Sequence, residues 1–136
     1  MHEYGPEETT SYSFFFMPSR YQILCRLLKE LRSLSPEFSP KRILDFGCGP
    51  ATGAAAAFTT WESKKDALHK YTGIDMSQSM IDAGKLMTRG PDAIPDCVFW
   101  DKTSEVVRRA IANNERFDLA IISYTLTELT SDPARR

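Results

Sequence analysis

From residue 42 onward, short apolar runs alternate with segments in which apolar residues recur at helical spacing. The apolar runs predict four buried strands, over residues 43–46, 71–75, 97–100 and 117–123. The segments between them predict three helices: one rich in small residues over 52–61, one that Ser77 caps and that contains Met80 and Ile81, and one around Val106 and Ile111. This alternation predicts an α/β domain with a parallel sheet.

The predicted sheet has fewer strands than the complete fold. A doubly wound sheet usually contains more than four strands, and the sequence stops at residue 136, soon after the fourth. We therefore expect residues 42–136 to be only the N-terminal part of a Rossmann-like domain.

The first 41 residues follow a different pattern. Residues 1–17 suggest an extended or disordered lead, which ends in three phenylalanines at 14–16 that we expect to pack on the domain. Residues 18–41 predict an N-terminal helix and a connector. Ser19 and Gln22 have the spacing of a capping box. The apolar stripe of this helix consists of Leu24, Leu27, Leu28, Leu31 and Leu34.

Composition and charge limit the possible functions. The 136 residues are 42% hydrophobic and 26% charged, as in one ordinary globular domain. A net charge of −1 excludes binding to DNA or RNA through overall positive charge. Six basic residues nevertheless cluster between 18 and 42, namely Arg20, Arg26, Lys29, Arg32, Lys41 and Arg42. They form either a solvated helix face or a local surface that contacts RNA phosphates.

Neither the cysteines nor the apolar runs indicate a metal site or a membrane segment. The three cysteines, at 25, 48 and 97, have no zinc-site spacing and form no even set for disulfides, so we expect a reducing compartment. The apolar runs are far shorter than the roughly 20 residues of a membrane helix. The acidic first 17 residues contain no recognisable transit peptide.

The residues that indicate chemistry follow the first two strands. Gly47 allows a tight turn after the first strand, Gly49 allows a ligand to approach the backbone, and Gly53 follows at the start of the next helix. Asp75 ends the second strand, where a carboxylate faces the loop and can accept the hydroxyls of a ribose. Together these residues predict a site for a nucleoside-containing cofactor.

The spacing of the loop narrows the choice of cofactor. The glycines do not match the G-x-G-x-x-G of a dinucleotide site, and no Gly-Lys-Ser/Thr of a P-loop is present. Asp45 would repel a pyrophosphate, whereas it suits the positively charged sulfonium and amino groups of S-adenosylmethionine. We favour a methyl-donor site. A dinucleotide site and a purely structural glycine turn remain alternatives.

Three segments resemble the motifs of class I S-adenosylmethionine-dependent methyltransferases: Ile43-Leu44-Asp45-Phe46-Gly47-Cys48-Gly49, Gly73-Ile74-Asp75, and residues 117–123. A narrower resemblance is to the Rsm22-like family, whose members are methyltransferase-like proteins of mitochondrial small ribosomal subunit assembly. It rests on Pro18-Ser19-Arg20-Tyr21, on residues 36–40, on the loop with its alanine-rich helix and Trp61, and on residues 123–129.

The resemblance implies further site residues and partners. Asp101 would lie near the adenine amino group, with a solvated loop acid as the alternative, and Met76 would line the adenine pocket, with local packing as the alternative. Ser123 would follow the fourth strand beside the cofactor. The implied partners are small-subunit rRNA and ribosomal proteins or assembly factors, and the implied location is the mitochondrion. The family's cysteine-rich segment, which binds an iron–sulfur cluster, belongs to a C-terminal half that this sequence does not contain.

Catalysis is less well defined. The segment after the fourth strand lacks the Asn/Asp-Pro-Pro-aromatic clamp of amino methylases, and no residue is assigned a catalytic role. The protein would then serve as an rRNA-bound scaffold with weak or no methyl transfer. One alternative is an active small-molecule or protein methyltransferase unrelated to ribosomes. Another is a structural subunit of a larger complex that binds no cofactor.

Overall fold

The structure is a computed structural model that describes residues 4–61, 70–88, 98–101 and 105–123. Within these residues it contains five helices and four strands. In chain order they are α1 (Pro6–Phe15), α2 (Met17–Leu34), β1 (Arg42–Phe46), α3 (Thr52–Trp61), β2 (Lys70–Ile74), α4 (Gln78–Met87), β3 (Val98–Asp101), α5 (Glu105–Ala112) and β4 (Leu119–Ile122).

The four strands form one parallel sheet in the order β3-β2-β1-β4. Ile43 of β1 lies opposite Tyr71 of β2 and Leu119 of β4. The strand order changes direction between β1 and β4, and ligands of open α/β sheets bind outside the carboxyl ends of the strands at such a point. The predicted α/β fold with a parallel sheet is confirmed.

Helices α2 and α3 bury the core on one side of the sheet. The buried cluster joins Leu24 and Leu28 of α2 to the alanines of α3, to Trp61, and to Ile43 and Tyr71 of the sheet. Because the alanine side chains are small, α3 lies close to both β1 and α2. The small-residue segment predicted over 52–61 therefore forms a packing helix with those bounds.

The predicted apolar stripe of α2 is only partly buried. Leu24 and Leu28 are in the core, whereas Leu27 and Leu34 are more than half exposed. The helix also begins earlier than predicted, at Met17, because Pro18 lies in the first turn, where a missing N–H costs nothing. Ser19 is not a cap, since its hydroxyl donates a hydrogen bond to the Phe16 carbonyl at 2.9 Å.

The prediction of an extended or disordered lead over 1–17 is wrong for Pro6–Phe15, which form α1. Gly5 is the N-cap, and its N–H donates to the Glu8 carboxylate at 2.9 Å. Pro6 follows it with a backbone angle suited to the first helical turn. The sequence analysis overlooked this N-terminal signal because α1 has almost no amphipathic pattern.

The phenylalanines at the end of α1 do not pack on the domain as predicted. Phe14 is 75% exposed and Phe15 is 78% exposed, while Phe16 is 55% exposed and contacts the Tyr12 ring and the Arg20 guanidinium. Phe14 and Phe15 therefore lie on the solvent-exposed side of α1. No helix in the described ranges is long and apolar enough to cross a bilayer. The domain boundaries at 17/18 and 41/42 remain predictions.

Candidate functional site

The loop after β1 turns sharply beneath the end of β2. Gly47 and Gly49 have positive φ angles of 75° and 53°, and Ala51 has a φ of 68°. The N–H groups of Gly47 and Cys48 both donate to the Ile74 carbonyl, at 2.8 and 3.1 Å. The loop is therefore fixed at the carboxyl end of the sheet, and Ala51 adopts a left-handed conformation that glycine accommodates more readily.

The Asp75 carboxylate lies against this loop, as predicted. One oxygen accepts the Gly49 N–H at 2.9 Å, and the other accepts the Ser77 N–H at 2.9 Å. Each carboxylate oxygen has a second lone pair, so both can accept a further hydrogen bond. The arrangement suits a group that receives ribose hydroxyls, and that role stays a prediction.

Asp45 is buried at the end of β1, and the Tyr71 hydroxyl donates a hydrogen bond to its Oδ2. Burial raises the pKa of Asp45 to about 7; the Tyr71 hydrogen bond opposes the rise and Asp75 adds to it. Burial also raises the pKa of Tyr71 well above its usual value, so this hydroxyl stays neutral. The sequence argument assumed a full negative charge on Asp45, whereas a pKa of about 7 leaves this carboxyl only partly ionised at neutral pH.

Gly53 lies in the first turn of α3, directly over Asp45. A Cβ at this position would overlap Asp45 Oδ2 and would lie 2.8 Å from the Tyr71 hydroxyl. The missing side chain therefore allows α3 to pack on the Asp45–Tyr71 pair. A Cβ at Gly49, by contrast, would meet only Tyr12 Cε1, at 4.0 Å.

A small cavity lies among the loop, α3 and the end of β4. It has a volume of about 20 Å³, close to what one water molecule requires. Its lining consists of Tyr12, Arg20, Leu24, Asp45, Gly47, Cys48, Thr52, Gly53 and Ser123. The Thr52 hydroxyl is buried and has no hydrogen-bond partner. The cavity thus brings together Asp45, Gly47, Gly53 and Ser123 of the predicted site.

Helix α1 covers this cavity. Tyr12 lies above Gly49, and Arg20 donates a hydrogen bond to the Tyr12 hydroxyl. The Arg20 guanidinium carbon is 4.7 Å from the centre of the Tyr12 ring. Burial raises the pKa of Tyr12, although Arg20 lowers it, so the phenol is neutral at physiological pH. The sequence analysis assigned no role to Tyr12 and treated Arg20 as part of a surface cluster.

The donor set fits S-adenosylmethionine, but the cavity is too small for it. The positive-φ loop and Asp75 would hold the adenosyl part, and the buried Thr52 hydroxyl, which makes no hydrogen bond within the protein, could bond a polar group of the ligand. A volume of 20 Å³ cannot hold a nucleoside. When bound, this cofactor would supply a methyl group activated by its sulfonium.

The structure does not bring every predicted residue into the cavity. Met76 follows Asp75 and is 45% exposed, outside the cavity lining. Asp101 ends β3, and its backbone lies opposite Ile74 in the sheet register. The roles of both residues at an adenine ring stay predictions.

The basic cluster predicted from the sequence separates into two groups. Arg20 faces the cavity, Arg32 donates to the Thr60 carbonyl, and Arg42 pairs with Glu115. Arg26, Lys29 and Lys41 are exposed. The side chains of the second group can therefore contact an RNA backbone while the contacts of Arg20, Arg32 and Arg42 stay in place.

The part of the chain that the structure describes contains no candidate metal site. No group of three or more His, Cys, Asp or Glu side chains there is arranged to hold a metal ion. Cys25 and Cys48 are buried free thiols, and Cys97 lies outside the described residues. Burial raises the pKa of Cys48 well above its usual value, as expected of a small packing residue rather than a nucleophile.

Comparison with known proteins supports the resemblance seen in the motifs. The profile of the family described as "Mitochondrial small ribosomal subunit Rsm22" matches residues 6–136. The human ribosome assembly protein METTL17, mitochondrial, is 28% identical over 136 residues. That alignment covers 93% of this chain and 28% of METTL17, so the chain spans less than a third of this relative's length. The chain belongs to the Rsm22 family of the mitochondrial small ribosomal subunit.

Proposed function

We propose that this chain is an S-adenosylmethionine-binding domain that acts in assembly of the mitochondrial small ribosomal subunit, as an rRNA-bound scaffold with weak or no methyl transfer. The observation that carries the cofactor part is the Asp75 carboxylate, hydrogen-bonded at 2.9 Å to the Gly49 N–H of the loop after β1. This pair joins an acceptor for ribose hydroxyls to a backbone that a ligand can approach closely.

Membership of the family supports the ribosomal part of the proposal. The relative METTL17 is named a mitochondrial ribosome assembly protein, in keeping with a mitochondrial location for this chain. Small-subunit rRNA and ribosomal proteins or assembly factors are the proposed partners. Arg26, Lys29 and Lys41 are exposed and are the proposed contacts to phosphate.

The cofactor site is tested by isothermal titration of the full chain with S-adenosylmethionine. We expect binding that Asp75→Asn weakens about tenfold or more, because one charged acceptor is lost. Asp82→Asn is the matched control, since Asp82 is an exposed acid on the neighbouring helix α4. Equal binding by both variants, with each still folded, would remove Asp75 from the site.

The rRNA contact is tested by crosslinking in mitochondria. We expect small-subunit rRNA to crosslink to the chain and the yield to fall in the double variant Arg26→Glu, Lys29→Glu. Arg108→Glu, an exposed arginine on α5, is the control for charge alone. A crosslinked RNA that is not from the small subunit would contradict this part of the proposal.

A structural subunit without cofactor is the second candidate, and one observation favours it. Helix α1 covers the loop, and the cavity that remains has a volume of only about 20 Å³. The same titration separates the two candidates. A chain that crosslinks to rRNA and gives no heat with S-adenosylmethionine would be a scaffold only.

A further inference from the structure

Arg20 is directed inward, although its sequence neighbours suggest a surface role. It lies in the first half of α2, lines the cavity, and donates a hydrogen bond to the neutral Tyr12 phenol. A guanidinium binds a carboxylate more strongly than a phenol, because both partners are charged and two parallel hydrogen bonds form. Tyr12 is therefore a weak partner that an anionic group can replace.

Thr52 is a second polar residue of the same cavity. It is 6% exposed, and its hydroxyl has no hydrogen bond. A buried hydroxyl without a hydrogen bond lowers the stability of the folded state. A ligand oxygen that entered between Arg20 and Thr52 would accept a hydrogen bond from this hydroxyl and from the guanidinium.

The position of this pair indicates which end of a ligand it would meet. Asp75 directly follows β2, whereas Arg20 and Thr52 line a cavity that also contains Asp45 near the end of β1 and Ser123 after β4. A nucleoside held at Asp75 would direct its substituent across β1 towards β4. Asp45 would repel a phosphate dianion, whereas it would accept an ammonium group beside a carboxylate.

We propose that Arg20 binds the carboxylate of the methionine part of S-adenosylmethionine. In the closed form, in which α1 covers the site, Tyr12 bonds Arg20 in place of that carboxylate. This inference rests on the proposed function, because it assigns one subsite of the same ligand. Thr52 supplies a second hydrogen bond to that carboxylate.

Ligand entry requires α1 to move away from the loop. The cavity has room for about one water molecule, and Tyr12 fills the space above Gly49. Helix α1 buries little of its surface, since Thr9 is the only buried residue within Pro6–Phe15. Weakly buried elements of this kind open at low free energy.

The test compares two ligands that differ in the carboxylate. S-adenosylmethionine contains the amino-acid end, and 5′-methylthioadenosine contains the same adenosine without it. Isothermal titration of the full chain gives an affinity for each, and their ratio measures the carboxylate contact. Arg20→Gln is compared with Arg108→Gln, which changes an exposed arginine on α5. Thermal unfolding verifies that each variant is folded.

We expect Arg20→Gln to lower the affinity ratio of S-adenosylmethionine to 5′-methylthioadenosine about tenfold or more. Arg108→Gln should leave the ratio unchanged. If a substitution makes α1 open more easily, both affinities rise by the same factor, so the ratio of the two affinities does not change for that reason. An unchanged ratio in Arg20→Gln, with 5′-methylthioadenosine still bound, would overturn the Arg20 contact while leaving the cofactor site in place.

The cover is tested with Tyr12→Phe, which keeps the ring and removes the hydroxyl. We expect both ligands to bind several-fold more tightly, because less of the protein is in the closed form. Tyr21→Phe is the control, since its hydroxyl bonds Thr59 at 2.8 Å on the α2–α3 side. Weaker binding by Tyr12→Phe would contradict the proposal that the Tyr12–Arg20 contact keeps the site closed. If no variant bound either ligand, the cofactor site itself would be rejected, and the Arg20 contact with it.

Discussion

The buried carboxyl of Asp45 should make the protein less stable as the pH rises from about 4 to about 7. Its side chain is only 2% exposed and accepts one hydrogen bond from Tyr71. Asp45→Asn keeps the shape and an oxygen that can accept that bond, and it removes the ionisable group. The variant therefore isolates the free energy of ionising this buried acid.

The pKa of Asp45 gives the size and sign of the effect. It is about 7 in the folded chain, against 3.8 for an ordinary aspartate, and desolvation by burial is the main cause. The folded state then binds more protons than the unfolded state between these values, so its stability is greatest below pH 3.8 and falls as the pH rises through 7. At about 1.4 kcal/mol per pH unit, the loss at neutral pH approaches 4 kcal/mol.

Urea unfolding at several pH values between 4 and 7.5 measures this effect. The free energy of unfolding of Asp45→Asn, minus that of the original chain, should become more favourable to the variant by about 4 kcal/mol over this range. Asp82→Asn serves as a control because Asp82 is exposed. A difference that stays flat from pH 4 to 7.5 would show that Asp45 ionises at its ordinary pKa and that the burial argument fails.

Five further substitutions test the packing that positions the site, each by the free energy of unfolding in urea. Gly53→Ala should destabilise the chain by about 3 kcal/mol, despite a better helix propensity, because its methyl group overlaps Asp45; a gain in stability would contradict this packing. Ala51→Gly should change the free energy of unfolding by less than about 1 kcal/mol, because relief of the left-handed strain offsets the lost burial of the methyl group. Ala54→Gly, within α3, relieves no such strain and should lower the free energy of unfolding by about 1–2 kcal/mol. Asp118→Ala should lose about 1–2 kcal/mol, because its carboxylate accepts the N–H groups of Lys41 and Arg42 at 2.8 Å each; Asp118→Asn, which keeps one acceptor, should lose less.

The local pattern was sufficient to predict the elements that rely on periodicity. The four strands were predicted from short apolar runs, and the helix over 52–61 from its run of small residues; both signals depend only on neighbours along the chain. Asp75 could be placed beside the loop because the carboxyl ends of parallel strands meet at one edge. The glycines at 47 and 49 indicated a tight turn for the same local reason.

The cover over the site could not be predicted in this way. Tyr12 and Arg20 meet the loop after β1 through the packing of α1 and α2, and no spacing along the chain encodes that contact. Helix α1 itself was missed because its apolar residues do not favour one face. Residues 14–16 were expected to be buried because they are hydrophobic. Hydrophobicity alone does not determine which side of a helix packs on the domain, and these side chains are exposed.

By itself, the sequence determined the α/β alternation, the glycine turn and the family motifs, because each depends on residues that are close along the chain. Only the tertiary structure determined three properties: the ionisation of Asp45, the close packing of α3 on Asp45 at Gly53, and the closure of the cavity by Tyr12 and Arg20. These properties depend on burial and on contacts between distant segments: desolvation raises the pKa of Asp45, and α1 reaches the loop only after the chain has folded.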